Sequence, residues 1–236
     1  MRLLNSCFNR RCLSGIAVGH LDFQIGMNSL SLYGSNCSAN GKKTMPEKGQ
    51  VNPLSPAVKS ISQLLKEDDV EGMIIGGLAA SLLGRPRFTN DIDLVVLDLD
   101  DRLPEFFEKI KKFGIEPRIE DAEDFARKSR VLLMRHKESG INIDISMGIL
   151  PFERESVSRK KIESAFGLEV PLPLPEDLII FKAISRRPQD MEDIKAIIAR
   201  HSDLDKGRVL SVIREFADIL ESEDIYDNIK KLLKMG

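Results

Sequence analysis

The chain has 236 residues, 42% of them apolar and 31% charged, and a formal net charge of −2. These values are typical of a soluble protein with a sizeable core, and they argue against a globally cationic nucleic-acid binder, which needs clustered Lys and Arg. No apolar run reaches the roughly 20 residues that a membrane-spanning helix requires. We therefore expect a soluble, cytoplasmic protein without a membrane partner.

The first 50 residues differ from the rest and are expected to form an extension with little stable structure. They are rich in Ser, Asn and Gly and lack a sustained hydrophobic period. Cys7, Cys12 and Cys37 all lie here, which excludes a disulfide framework or a cysteine-based zinc site in the main body. Early arginines weakly suggest a transit peptide, whereas the alternative is a natural start at Met45.

From Ser55 onward, the pattern predicts helices that alternate with strands. Serine followed by Pro56 is a typical helix start. The next expected elements are a strand over 73–75, a Gly-Gly turn into a helix over 78–83, a loop over 84–90, a strand over 91–97 and a helix over 103–113. An antiparallel pair over 131–135 and 141–146 follows.

The last third of the chain predicts mainly helices. A short helix near 152–158 and a hairpin around Phe166 come first, and three prolines then break regular structure. Further helices are expected over 176–186, 189–200, 206–220 and 224–234. The pattern therefore predicts an α+β fold, with a core over residues 51–175 and a helical C-terminal region over 176–236 packed on that core.

Three aspartates are the main candidates for chemistry. Asp91 and Asp93 are two residues apart on a predicted strand, so both carboxylates project from one face, and Asp144 lies on the polar face of another strand. Close carboxylates repel one another, and a divalent cation relieves the repulsion. Oxygen ligands favour Mg²⁺ or Mn²⁺, and three converging carboxylates could form a two-metal site. Taken alone, an Asp-x-Asp at a strand edge is commonly structural.

A second set of candidates concerns phosphate. Gly76 and Gly77 follow a strand and open a helix, so backbone N–H groups there could approach phosphate oxygens, although such a turn is more often only structural. Lys182 and Arg186 are four apart, and on one helix face they could hold a triphosphate or its leaving group. The alternative is a solvated helix face. Asp190 and Asp193, one turn apart, could pin Lys182 or an arginine, or only cap their helix.

These residues together resemble a known signature. Residues 76–80 followed by 84–93 look like the DNA polymerase beta-like nucleotidyltransferase superfamily. Residues 176–182 followed by 186–193 look more specifically like its AbiEii-like branch of bacterial abortive-infection toxins. The likeness covers roughly residues 55–200. The serine that usually follows the first glycine is replaced by Gly77, as it often is in this branch.

The resemblance implies a nucleotidyltransferase fold, in which a mixed, mostly antiparallel sheet is flanked by helices. It implies transfer of a nucleoside monophosphate from a nucleoside triphosphate such as ATP to an acceptor hydroxyl on RNA, protein or a small molecule. By matching positions, the implied Mg²⁺ ligands and catalytic residues are Asp91, Asp93 and Asp144. The implied nucleotide-binding residues are Gly76, Gly77, Thr89, which supports the loop, and Lys182.

The leading hypothesis is therefore an enzyme in which either Asp144 or a metal-bound hydroxide activates the acceptor. Such an enzyme could be a toxin with a cognate antitoxin protein as its partner. One alternative is a non-catalytic nucleotide-binding or regulatory module of the same kind of system, because a fold does not determine a function. The other is a structural protein in which the acids only cap helices and solvate the surface.

Overall fold

The computed structural model of the protein describes residues 54–235, which form seven strands and nine helices. The expected extension over residues 1–50, with its three cysteines, lies outside the described residues. The strands are β1 Gly72–Ile75, β2 Asp91–Leu97, β3 Ile115–Pro117, β4 Val131–His136, β5 Asn142–Gly148, β6 Lys161–Ala165 and β7 Leu168–Leu172. The helices are α1 Leu54–Leu64, α2 Gly76–Leu83, α3 Leu103–Lys111, α4 Ala122–Ser129, α5 Pro151–Ser158, α6 Pro175–Ser185, α7 Pro188–Arg200, α8 Lys206–Ile219 and α9 Glu223–Met235.

Five strands form one mixed sheet in the order β1-β2-β5-β4-β3, and β6 and β7 form a separate hairpin. Neighbours in the large sheet are antiparallel except β2 and β5, which run parallel. A parallel pair needs a long crossover, and here α3, β3, α4 and β4 supply it. The predicted α+β class with a mostly antiparallel sheet and flanking helices is confirmed.

The two faces of the sheet are covered differently, and this difference positions the acidic residues. The alternate residues of β2 that enter the main core are fully buried, as a period of two predicts: Ile92, Leu94 and Val96. On the opposite face, Val95 packs with Val157 of α5 in a smaller apolar cluster. Asp91 and Asp93 precede Val95 on this face and are only partly buried. The two carboxylates therefore lie where the smaller cluster ends.

The C-terminal helices complete the core and bring basic side chains toward the acidic end of the sheet. Both α6 and α7 pack against α2. On α6, apolar residues are buried almost all around the helix: Leu178, Ile179, Ile180 and Ala183. A helix buried on every side belongs to the interior. Among residues 54–235, no helix is long and apolar enough to cross a membrane.

Most predicted elements are present, but two were not predicted, and a buried histidine joins two other elements. The strand β3 has three residues and ends in a proline, and only Ala122 and Ala126 of α4 are fully buried, so neither showed a clear hydrophobic period. His136 is 3% exposed, and its ring bonds to the hydroxyls of Ser60 and Ser139. It therefore ties α1 to the end of β4.

Candidate active site

The three candidate carboxylates lie on one face of the sheet. In the parallel pair β2–β5, Asp93 is directly opposite Asp144, and Asp91 is opposite Asn142. Residues opposite one another in a sheet share a face, as do residues two apart on one strand. The fold therefore brings Asp91, Asp93 and Asp144 to the same surface, at the end of the sheet that the smaller apolar cluster leaves uncovered.

Asp93 has a strongly perturbed electrostatic environment. Burial, followed by the charges of Asp91 and Asp144, raises its pKa from 3.8 to about 6, although Arg187 and a backbone N–H act in the opposite direction. Burial and neighbouring carboxylates both disfavour the ionised form. A bound divalent cation would remove this penalty, so the donor set fits a hard cation such as Mg²⁺ or Mn²⁺.

The third carboxylate has a competing partner. Asp144 Oδ1 accepts a hydrogen bond from Arg118 Nη2, and the two side chains form an ion pair. Among residues 54–235, no group of three or more His, Cys, Asp or Glu side chains is close enough to hold a metal ion in this arrangement. Asp144 would therefore have to exchange Arg118 for the cation before it joins Asp91 and Asp93 as a ligand.

The glycine turn at the start of α2 lies directly against Asp93. Gly76 has a φ of +66°, and a Cβ added there would lie 1.8 Å from Asp93 Oδ2. A Cβ on Gly77 would lie 2.9 Å from Thr89 Oγ1. The Gly77 N–H donates to Asp93 Oδ2 at 3.4 Å, a long contact. Glycine is therefore required at position 76 both for the left-handed backbone and for the close approach of the Asp93 carboxylate.

Thr89 fixes the other carboxylate of the strand. Thr89 is 6% exposed, and its hydroxyl donates to Asp91 Oδ1 at 2.8 Å and to the Asp91 carbonyl oxygen at 3.1 Å. Two residues earlier in this loop, the Arg87 N–H donates to Ser81 Oγ, and the Ser81 hydroxyl donates to the Arg87 carbonyl oxygen. The loop before β2 is thus held at both ends, with Asp91 oriented by Thr89.

Lys182 and Arg186 are separated by the structure. Lys182 is 2% exposed, and its Nζ lies 2.9 Å from Asp190 Oδ1 and 2.7 Å from Asp193 Oδ2. Arg186 follows the last residue of α6 in a left-handed conformation, and its guanidinium bonds to Ser222 and Asp224. The prediction of a shared helix face is therefore wrong, because the helix ends one residue too early for the spacing rule to apply.

The chain can now be compared with known proteins. Residues 53–232 match the family described as nucleotidyltransferase of unknown function (DUF6036). The chain belongs to this family. As a member of the nucleotidyltransferases, it is similar in structure to an antigenic nucleotidyltransferase-like protein from Paracoccidioides brasiliensis, with 18% identity and a TM-score of 0.47 over 75% of this chain and 92% of that one.

A second solved structure is similar to this nucleotidyltransferase family member. It is the antibiotic-resistance factor ANT(2'')-Ia, with 16% identity and a TM-score of 0.49 over 71% of this chain and 94% of that one. No curated protein sequence matches the chain. The family assignment therefore rests on the match over residues 53–232, which spans most of the chain.

Three arginines of this nucleotidyltransferase family member surround the site, and the sequence interpretation assigned none of them to it. Arg118 pairs with Asp144, as described above. Arg87 donates from Nε and Nη2 to the two oxygens of Asp193, at 2.8 and 2.9 Å. Arg187 donates from Nε to Asp190 Oδ2 at 2.8 Å. Asp190 and Asp193 thus pin Lys182 and two arginines, and Asp190 also caps α7. Both roles that the sequence suggested for these aspartates are therefore present.

One signal in the sequence could have indicated the burial of Lys182. The residues around it are apolar on all sides of α6, and a lysine within such a helix is expected to be buried and paired rather than solvated. Arg118 gave no comparable signal. It follows the short strand β3, and its approach to Asp144 depends on the sheet order.

Proposed function

We propose that this protein transfers a nucleoside monophosphate from a nucleoside triphosphate to an acceptor hydroxyl, with Mg²⁺ or Mn²⁺ as the cofactor. The observation that carries the proposal is the common face of Asp91, Asp93 and Asp144, with the glycine turn in contact with Asp93. Family membership supports it. The acceptor hydroxyl would belong to RNA, protein or a small molecule.

The three aspartates would hold the divalent cation. When bound, it would neutralise charge on the triphosphate and on the pyrophosphate as this group leaves. The raised pKa of Asp93 supports this role, because the repulsion from Asp91 and Asp144 that helps to raise it is what a cation offsets.

The protein's own groups would position the reactants and receive the proton. The backbone N–H groups at Gly76 and Gly77 would lie against phosphate oxygens. Asp144, once released by Arg118, would accept the proton of the acceptor hydroxyl as its oxygen bonds to the α-phosphorus. The bond from that phosphorus to the bridging oxygen breaks, and pyrophosphate carries away the electron pair. Thr89 would keep Asp91 oriented throughout.

The test uses each of the four nucleoside triphosphates labelled at the α-phosphate, incubated with the protein, Mg²⁺ and either cellular RNA or a protein extract. We expect the wild type to label one acceptor pool and Asp93→Asn to lose at least about 100-fold in rate, since changes to the outer-shell partners of a metal ligand already cost about 10-fold to 100-fold. Asp101→Asn, an exposed residue beyond β2, is the matched control. Absence of transfer by the wild type, or equal transfer by Asp93→Asn, would reject the proposal.

A non-catalytic nucleotide-binding module is the second candidate. The observation that favours it is the ion pair between Arg118 and Asp144, which occupies the third carboxylate. Calorimetry separates the two functions. Binding of triphosphate that is equally tight with and without Mg²⁺, and without turnover, would favour the regulatory module.

The finer proposal of a cytoplasmic abortive-infection toxin rests on the likeness of residues 176–182 and 186–193 to the AbiEii-like branch. It predicts that induced expression arrests growth, that Asp93→Asn does not, and that a cognate antitoxin encoded next to this gene restores growth. Unimpaired growth with active protein would favour another role for the same reaction.

A further inference from the structure

We propose that Arg187 is the side chain that binds the phosphates of the nucleoside triphosphate, and that the buried Lys182 is a positioning residue that acts on Arg187 through Asp190. This inference rests on the proposed function and deepens it. The sequence pointed to Lys182 and Arg186 as the phosphate-binding residues and gave Arg187 no role. Three observations instead support Arg187.

The first observation is that only one edge of the Arg187 guanidinium is bonded. Its Nε donates to Asp190 Oδ2 at 2.8 Å and its Nη2 donates to Asp190 Oδ1 at 3.2 Å. Its Nη1 donates no hydrogen bond to any residue in the part of the chain that the structure describes, and the side chain is 44% exposed. One edge of the guanidinium is therefore fixed by Asp190, and the remaining donors are available to a ligand.

The second observation is where these donors lie. Burial opposes the charge of Arg187, but Asp190, Asp93 and Asp91 attract it and together raise its pKa. The geometry agrees: a Cβ on Gly77 would lie 3.2 Å from Arg87 Nη2. Ion pairs then connect Arg87 to Arg187 through Asp193, Lys182 and Asp190. The guanidinium thus belongs to an ion-pair cluster that reaches the glycine turn beside Asp93, and it makes no hydrogen bond with Asp91 or Asp93. This is the position expected for a cation that contacts a triphosphate held at those aspartates.

The third observation concerns Lys182, which is 2% exposed and lies between two carboxylates. Asp190 and Asp193 are themselves nearly fully buried and one helical turn apart, so they would repel each other without it. Lys182, Arg87 and Arg187 together carry three positive charges against the two negative charges of Asp190 and Asp193. The cluster therefore keeps one net positive charge, and Arg187 is its most exposed cation.

The chemistry of the two side chains agrees with this division. A guanidinium is planar, always charged and suited to bidentate contact with phosphate oxygens. A buried ammonium that is already bonded to two carboxylates has no comparable access to a ligand. Lys182 would therefore influence phosphate binding only by keeping Asp190 charged and oriented toward Arg187.

The experiment measures binding of inorganic tripolyphosphate to the full chain by calorimetry in the presence of Mg²⁺. This probe needs neither a particular base nor an acceptor. We expect Arg187→Ala to weaken binding about 10-fold to 100-fold, the range for a lost charge-assisted hydrogen bond. Arg154→Ala is the matched control, since it removes the same charge from an exposed pair with Asp98, at the end of β2 away from Asp91, and it should change binding less than about 2-fold.

The positioning role of Lys182 is tested through Asp190, the carboxylate that connects Lys182 to Arg187. Asp190→Asn should weaken tripolyphosphate binding in the wild-type background and have no further effect in the Arg187→Ala background, as expected for residues that act as one unit. Circular dichroism confirms that each variant is folded. The conservative Arg187→Lys should restore only part of the binding, because it lacks the planar guanidinium.

Three results would overturn the inference: no binding of tripolyphosphate by the wild type, equal binding by Arg187→Ala and the wild type, or an Asp190→Asn effect that persists in full without Arg187. These results are distinguishable from failure of the proposed function. If transfer is observed and Arg187→Ala leaves both transfer and binding unchanged, only this inference fails. If tripolyphosphate binding depends on Arg187 but no transfer occurs, the phosphate site stands and the catalytic proposal fails.

Discussion

The neighbours of Asp93 restrict which side chain can occupy this position. The turn at Gly76 and Gly77 touches its carboxylate, Asp144 lies opposite on β5, and Asp91 lies two residues away on the same face. Such a site holds unfavourable charge in the metal-free protein, since burial and like charges act together. Functional sites commonly store this kind of electrostatic penalty, so its effects on stability and on function should be separable by substitution.

Gly76→Ala tests the contact between the glycine turn and Asp93. A left-handed alanine costs about 1 to 2 kcal/mol, and the added Cβ would also overlap Asp93 Oδ2 at 1.8 Å. Gly140→Ala is the control, because Gly140 has a φ of +70° but no atom within 4 Å of the added Cβ. Urea unfolding should show a larger loss for Gly76→Ala, and only that variant should lose transfer. Equal losses would show that the contact with Asp93 is unimportant.

Asp93 should also determine part of the pH dependence of stability. Its pKa is raised from 3.8 to about 6 in the folded protein, so between these values the folded state binds more protons than the unfolded state. The free energy of unfolding of the metal-free wild type should therefore fall as the pH rises through this window, by on the order of 3 kcal/mol from this group. Asp93→Asn removes that fall.

The measurement is urea unfolding of the wild type and Asp93→Asn in the presence of a chelator, at pH 4 and pH 7.5. Asp93→Asn should be the more stable protein at pH 7.5, while the two proteins should be close at pH 4, where Asp93 is protonated in the wild type. A constant difference between the two proteins at both pH values would contradict the raised pKa of Asp93.

At the scale of whole elements, α7 is tied to the loop before β2 by buried charge. Asp193 on α7 accepts two hydrogen bonds from Arg87 of that loop and also binds Lys182 of α6. Breaking a buried ion pair by removing one charge is far more costly than breaking an exposed pair, because the remaining charge stays in a poorly solvated place. The loop, α6 and α7 are therefore expected to respond together.

Asp193→Asn should lower the free energy of unfolding by about 3 kcal/mol or more. Asp224→Asn, which removes a carboxylate from the exposed pair with Arg186, is the control and should give no measurable change. Chemical denaturation of both variants at pH 7.5 checks the difference. A small effect of Asp193→Asn would indicate that the buried cluster is not what joins the three elements.

The elements also show which features the sequence could predict. The strand β2 was predictable because Ile92 and Leu94 alternate with Asp91 and Asp93, and the glycine turn because it interrupts an apolar run. In contrast, α4 has few apolar residues, and its position depends on packing against the folded sheet. The face shared by Asp91 and Asp93 followed from a period of two, but their approach to Asp144 required β5 to pair with β2 rather than with β1.

The basic residues were harder to assign for the same kind of reason. The spacing of Lys182 and Arg186 predicted one helix face, but the prediction depended on where α6 ends, and helix ends are the least certain feature of a sequence interpretation. Arg87 and Arg187 meet Asp193 and Asp190 across the packed helices and the loop. Long-range contacts of this kind follow from tertiary packing and have no local pattern.

At the scale of the whole molecule, the fold gathers opposite charges at one end of one sheet. Three carboxylates come from the parallel strands β2 and β5, and the basic side chains come from the loop before β2, from the residue after β3 and from the segment that joins α6 to α7. The overall charge of −2 gives no indication of this arrangement. A triphosphate and a divalent cation would each meet groups of opposite charge here, the cation at the carboxylates and the triphosphate at the basic side chains.

Asp91, Asp93 and Asp144 are proposed to bind a divalent cation together with a triphosphate. The most direct measurement is a titration of Mn²⁺, followed by electron paramagnetic resonance, into the full chain with inorganic tripolyphosphate present. We expect a saturable site on the wild type that Asp93→Asn and Asp144→Asn each weaken at least about 10-fold, and that Asp101→Asn leaves intact. Mn²⁺ binding that is the same in all four proteins would contradict it.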